Sequence, residues 1–163
     1  MNKLSYFLML PILVLLFAFQ NDKGGTLALD TEYSEVEWTG YKVGGQHTGT
    51  ISIKEGHLEF KEGQLSGGQI VMDMGTLSCS DIEQEEMNAK LVGHLKSADF
   101  FNVEAHPTAT FKITKVVPYG KGTVEEEADY ELTIFKTTGE LTIKGITKTV
   151  KTKVEVYLSL IHI

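Results

Sequence analysis

Past its first two dozen residues, the chain alternates apolar and polar positions with a period of two. That spacing sends successive side chains to opposite faces of a strand. Val36 and Trp38 alternate with Glu35 and Glu37, and Gly49, Ile51 and Ile53 alternate with Thr50, Ser52 and Lys54. Glu55-Gly56 reads as a tight connection, after which Leu58 and Phe60 alternate with Glu59 and Lys61. A turn at Glu62-Gly63 leads through Gly67-Gly68 into a strand over 69–74. Four strands joined by short turns predict an antiparallel meander. Strands return after Pro107, with Ala109, Phe111 and Ile113 on one face and Thr108, Thr110 and Lys112 on the other. Residues 120–128 read as a polar acidic loop. Residues 129–145 read as one long kinked strand or a hairpin turning near Thr137-Thr138-Gly139. Thr147 to Tyr157 is a final strand with Val150, Val154 and Val156 on one side.

One stretch has a different period. Ser80-Asp81-Ile82-Glu83 has the form of a capping box, and Met87, Leu91 and Leu95 then recur every fourth residue, as on one face of a helix. Gly93 weakens that helix, and Ser97-Ala98-Asp99 resembles a second short cap before Phe100-Phe101. No segment repeats at 20–50 residues, which argues against a solenoid or propeller. The pattern predicts an all-β fold: one rolled antiparallel sheet with a short helical excursion between its fourth and fifth strands. A rolled sheet of about eight strands has an interior able to hold one small ligand.

The ends depart from this pattern. Met1-Asn2-Lys3 is a short positive start, Leu4 to Phe19 is almost continuously apolar, and Asn21-Asp22-Lys23 follows abruptly. Residues 1–20 are therefore expected to be a signal peptide, which makes the protein periplasmic or secreted. Ala18-Phe19-Gln20 is a poor cleavage site, so an uncleaved anchor is the alternative. No cysteine follows the apolar run, which rules out a lipoprotein anchor there. Residues 29–157 form the expected barrel domain. The last six residues, Leu158 to Ile163, match the translation of the mosaic end of a transposon-based sequencing adapter. They are expected to be a non-native tail on a C-terminally truncated barrel, with an unpaired strand edge beside the first strand.

Charge and composition narrow the function. A net charge of −7 with lysines scattered among acids excludes a nucleic-acid partner. Cys79 is the sole cysteine, so there is no internal disulfide, and it reads as a small buried hydrophobe. His47 shares the parity of Gly49, Ile51 and Ile53 and is expected inward; His94, three residues after Leu91, lies near the packing face of the helix. The two are expected to converge as a hydrogen-bonded pair or on a ligand head group. His57 and His106 read as surface residues. The histidine spacings contain no HxH or HxxxH, so no metal is expected. Asp73, Asp81, Glu83, Glu85 and Glu86 lie mostly at a helix start, where acids complement the dipole. Neither a GxSxG elbow nor a GxxxxGK[ST] loop occurs. What remains is an interior lined by Trp38, Ile51, Ile53, Phe60 and Phe111, and the pattern leaves open whether it is filled or hollow.

Two strings are more specific. Gly93 to Phe111, GHLKSADFFNVEAHPTATF, and Gly139 to Lys148, GELTIKGITK, resemble motifs of the YceI-like family, as does His47-Thr48-Gly49 on a strand. The resemblance runs from about Leu29 to Val156, with residues 125–138 longer than usual. It implies a lipocalin-like antiparallel barrel around an elongated apolar cavity, in an exported bacterial protein that binds a polyisoprenoid or similar fatty amphiphile. The matching positions are His47, His94, Leu95, Phe100, Phe101 and Phe111. The expected ligand-binding set is Trp38, His47, Ile51, Ile53, Phe60, His94, Phe100, Phe101 and Phe111, with no catalytic residue, metal or cofactor and with homodimerisation left open. The alternatives are a small lipid-acting hydrolase or isomerase using His47 and His94, and a filled-core, stress-related interaction protein.

Overall fold

The structure, a computed structural model, describes residues 11–16, 24–122 and 130–159. The strands are β1 (Pro11–Leu16), β2 (Gly25–Ala28), β3 (Glu35–Lys42), β4 (Gly45–Lys61), β5 (Gln64–Asp73), β6 (Thr108–Lys121), β7 (Tyr130–Ile143) and β8 (Ile146–Ser159). A 3-10 turn at Met74–Thr76 and the helix α1 (Glu85–Lys96) stand between β5 and β6. Along the sheet the order is β2-β4-β3-β1-β8-β7-β6-β5, and β5 pairs back on β4, so the sheet rolls up on itself. The expected all-β, antiparallel, barrel-like architecture with one helical excursion is what forms.

The meander differs from expectation at Glu55-Gly56. These residues make no turn: β4 continues for 17 residues. Its register against β5 instead slips between Ile53 and Glu55, a bulge at Lys54. One extra residue exchanges the faces of a strand. The inward set Gly49, Ile51, Ile53 therefore becomes Gly56, Leu58, Phe60, so a bulge and not the expected turn produces the parity change in the sequence. Residues 130–143 resolve the other ambiguity as one strand, with β7 pairing along β8 from Tyr130↔Ser159 to Ile143↔Ile146. The β7–β8 turn places Lys144 at φ 51° and Gly145 at φ 72°, the left-handed pair of a two-residue hairpin. Of the expected acidic loop, Gly120 and Lys121 extend β6 and residues 123–129 lie outside the described residues.

The inward residues form a single core. Val36, Leu58, Ile70, Val154 and Val156 are fully buried, and Phe111, Met72 and Met74 nearly so. Complete burial of side chains of this size stabilises the fold by about 1.5–3 kcal/mol each. Ser80 does not cap the helix. The N-cap is Gln84, with no side-chain hydrogen bond, and the Ser80 amide instead donates to the Thr48 carbonyl at 2.9 Å. Residues 76–81 run along the edge of β4 that β5 leaves free, with the Ser78 amide donating to Thr50 O at 3.0 Å and the Ser52 amide to Thr76 Oγ1 at 2.8 Å. On α1 the face turned to the core is Leu91, Val92 and Leu95, whereas Met87, expected there, is exposed.

The expected open edge beside the first strand is occupied. β1, from the segment read as a signal peptide, lies between β3 and β8, antiparallel to the first and parallel to the second. Leu158 and Ser159 continue β8 opposite Glu131 and Tyr130, and residues 160–163 lie outside the described residues. Without β1, the β8 edge from Lys153 to Leu158 loses its parallel partner. A chain starting at Gly24 is therefore expected to associate in a concentration-dependent way that the full chain does not, as read by size-exclusion chromatography with light scattering. Equal behaviour of the two chains would show that β1 does not protect this edge.

Two glycines test the packing in opposite directions. A Cβ at Gly49 would overlap the Ser78 carbonyl and stand 2.8 Å from Trp38 Nε1, whereas nothing lies within 4 Å of one at Gly93 in the helix. Gly49→Ala is expected to destabilise by about 1–3 kcal/mol or more, and Gly93→Ala to stabilise by up to about 1 kcal/mol. Urea denaturation of the two variants checks both signs.

Candidate functional site

Consecutive strands from β3 to β8 alternate in direction, so the β3–β4 hairpin, the α1 connection and the β7–β8 hairpin share one end of the barrel. The expected ligand residues divide between the interior and this rim. Trp38, Ile51, Ile53 and Phe111 are buried inside, and Phe60 is half-buried toward the other end of β4. Trp38 is fixed by its indole N–H, which donates to the Ser78 carbonyl at 2.9 Å. That carbonyl comes so close because position 49 has no side chain. Gly139 plays the same part for Phe111, whose ring edge would meet a Cβ there at 2.5 Å.

His47 and His94 do not form the expected pair. His47 is half-buried, and its Nδ1 lies 2.9 Å from Asp81 Oδ2 while Lys42 Nζ lies 2.6 Å from its Nε2. An ammonium only donates, so Nε2 accepts and Nδ1–H donates to the carboxylate. The other Asp81 oxygen accepts the Thr48 amide at 2.9 Å and the Cys79 thiol at 3.2 Å. His94 is exposed near the C-terminus of α1, its ring edge-on to Phe100 at 6.2 Å. A local reading missed Asp81 as the partner of His47 because the two are 34 residues apart and Asp81 sits in a sequence that looks like a helix cap.

These contacts set the ionisation of the cluster. Burial alone would raise the Asp81 carboxyl, but the Thr48 amide, His47 and Cys79 together outweigh it and lower it to about 2. Burial, reinforced by the hydrogen bond to Asp81, pushes the Cys79 thiol up, so it is protonated at neutral pH.

The rest of the motif residues build the rim. Lys144 Nζ donates to the Ala98 carbonyl at 2.8 Å and the Phe100 carbonyl at 3.0 Å, joining the two family-like strings. Lys96 Nζ donates to the Gly75 carbonyl at 2.7 Å, and Phe100 and Phe101 stack edge to face at 4.6 Å. Both phenylalanines are half-buried at the rim, and Phe101 packs against the core. Asn88 Nδ2 ties α1 to the crossing segment through the Cys79 and Ile82 carbonyls at 2.8 and 2.9 Å. Between them lies a cleft of about 430 Å³ lined by Leu77, Ile82, Asn88, Ala89 and Val92, with Glu83 and Glu85 at its margin. Of the remaining acids, Asp73 accepts the Gly75 amide at 2.9 Å and Glu85 and Glu86 occupy the first turn of α1, structural roles in each case.

Comparison with known proteins agrees with the motif strings. The model of the YceI-like domain matches residues 27–160. The chain is similar to the UPF0312 protein of Ectopseudomonas mendocina, 31% identical over 102 residues that cover 63% of this chain and 45% of the relative. It is also similar to a UPF0312 protein of Pectobacterium carotovorum, 33% identical over 103 residues covering 63% and 45%. One from Vibrio parahaemolyticus is 28% identical over 109 residues covering 66% and 48%. The aligned part thus spans about half the length of these relatives.

The Asp81 contacts give a pH signature. Its folded carboxyl is held below the unfolded value, so the stability it contributes is present above the ordinary carboxylate range and is lost as pH falls toward 2. The stability gap between the wild type and Asp81→Asn is expected to be constant above about pH 5 and to close between about pH 4 and pH 2. Urea titrations of both proteins across that range measure it, and a gap independent of pH would remove the carboxylate from the network.

Proposed function

The chain belongs to the YceI-like family, and from that premise we propose that it is an exported binding protein, not an enzyme, that holds a polyisoprenoid or another long-chain amphiphilic lipid inside the barrel. The observation that carries this reading is the chemistry of the wall. The side chains turned inward from β3 to β8 are apolar, and among the described residues the buried polar side chains are Ser34 and Thr137. Thr137 is spent on its own sheet, donating to the Thr152 carbonyl at 3.4 Å. Such a wall offers a ligand area and shape, with no acid–base pair. Each methylene buried contributes about 0.8 kcal/mol, against about 1 kcal/mol for a hydrogen bond, so affinity grows with chain length. The association cost and the ordering of a flexible chain offset part of it. The polar rim around His47 and Asp81 is where a head group would lie, and the exported location rests on the apolar start of the chain, part of which the fold holds as β1.

A second reading rests on a specific observation. Val36, Leu58, Ile70, Val154 and Val156 have no accessible surface, as in an interior filled by its own side chains. The hydrolase or isomerase reading needs His47 and His94 in one cleft, and their contacts lie with Asp81 and Lys42 in one case and Phe100 in the other.

Mass spectrometry of an organic extract of the purified full chain separates these readings. One class of long-chain lipid at near-stoichiometric yield is expected. An empty extract, together with no uptake of an added polyisoprenoid, would favour the filled core. Ile51→Ala is expected to retain the lipid with a slight loss. Ile51→Glu places an unpaired charge in the wall and is expected to abolish retention or unfold the barrel. Wild-type retention by a folded Ile51→Glu protein would exclude the interior as the site.

A further inference from the structure

The rim cluster has a property that neither the lipid reading nor the spacing of the histidines anticipates. His47 supplies an imidazole nitrogen, Cys79 a sulfur and Asp81 a carboxylate oxygen, and these atoms all lie within 4.8 Å of one another. A tetrahedral zinc ion sits about 2.0–2.3 Å from such donors, which puts neighbouring donors roughly 3.2–3.8 Å apart. Here the Nδ1–Oδ2 separation is 2.9 Å and the Sγ–Oδ1 separation 3.2 Å. Backbone pairing holds the three residues together: the Ser78 and Ser80 amides donate to the Thr50 and Thr48 carbonyls at 3.0 and 2.9 Å, and the Thr48 amide orients Asp81 at 2.9 Å. Cys79 faces the cluster from the buried side and Asp81 from the solvent side.

We propose that His47, Cys79 and Asp81 form a binding site for a thiophilic divalent cation, with zinc the best match, and that Lys42 opposes its occupation. A mixed sulfur, nitrogen and carboxylate set selects zinc or its neighbours over magnesium and calcium, which prefer all-oxygen sites. Three protein donors leave a fourth position for water or a ligand anion. The exchange of protons balances. The ion displaces the thiol proton of Cys79 to solvent, since a coordinating thiol is deprotonated. It also takes the Nδ1 lone pair of His47, whose proton moves to Nε2. Protonated Nε2 no longer accepts from Lys42, whose exposed ammonium then swings into solvent. One proton is released per ion bound.

Cobalt(II) titration of the reduced, metal-free full chain tests this, with zinc used to displace the cobalt. One equivalent is expected to bind with a thiolate-to-cobalt charge-transfer band in the near ultraviolet, and to release one proton. Cys79→Ser is expected to abolish the band, and His47→Gln to weaken binding by more than about tenfold. Lys42→Met is expected to tighten binding several-fold. All three variants keep Asp81 on the Thr48 amide, and near-ultraviolet circular dichroism confirms that each is folded. Absence of the band in the wild type, its persistence in Cys79→Ser, His47→Gln binding as tightly as wild type, or Lys42→Met binding no more tightly would each overturn the proposal.

Discussion

One constraint governs this barrel: β4 must keep apolar residues inward along its whole length while four other segments, β2, β3, β5 and residues 76–81, take its edges. A regular strand would carry the parity of Ile51 and Ile53 on to Glu55 and His57, putting a carboxylate in the core. The bulge at Lys54 prevents that, and Leu58 takes the inward place with full burial. It also divides the strand. β5 pairs with β4 from Ile53 onward, and the first half of the same edge is left to residues 76–81.

The rim follows from that division. Because residues 76–81 must run along β4, the Ser78 carbonyl falls over position 49, where only a glycine leaves room. The same carbonyl accepts the Trp38 indole, so one close approach fixes a large wall residue and the crossing segment together. Three residues further on, Asp81 arrives beside His47 and Cys79, and α1 is anchored to the segment by Asn88. Lys144 then fastens the turn after α1 to the β7–β8 hairpin. The family-like strings are thus largely a description of how one end of the barrel is held.

The two halves of the molecule offer different chemistry. The interior is apolar and uniform, suited to recognising length and shape. The rim has a charged, oriented network with three kinds of donor atom in reach of one another. A ligand with a long tail and a polar head would meet both, and the proposed cation would lie at their junction, where it can tune the head-group end without touching the wall.

The sequence by itself marked the strand segments from β3 to β8, most of their inward faces and the helical interruption, because a period of two or four is a local property of side-chain direction; β1 and β2 carry no such alternation and were set by the free edges of the sheet. Trp38, Ile51, Ile53 and Phe111 were placed in the wall on that ground. The longer family-like strings marked the rim, though not what their residues do there. Tertiary structure decided the rest. It turned the expected Glu55-Gly56 turn into a bulge, since either device produces the same parity change in sequence and only the pairing with β5 distinguishes them. It took Ser80 from a helix cap to a β4 partner, since a backbone carbonyl leaves no trace in the sequence of the segment that pairs with it. It gave His47 to Asp81, 34 residues away, while His94 went to Phe100. Side-chain partners across that distance are set by which strand edges remain unpaired, and that is known only once the sheet has rolled up.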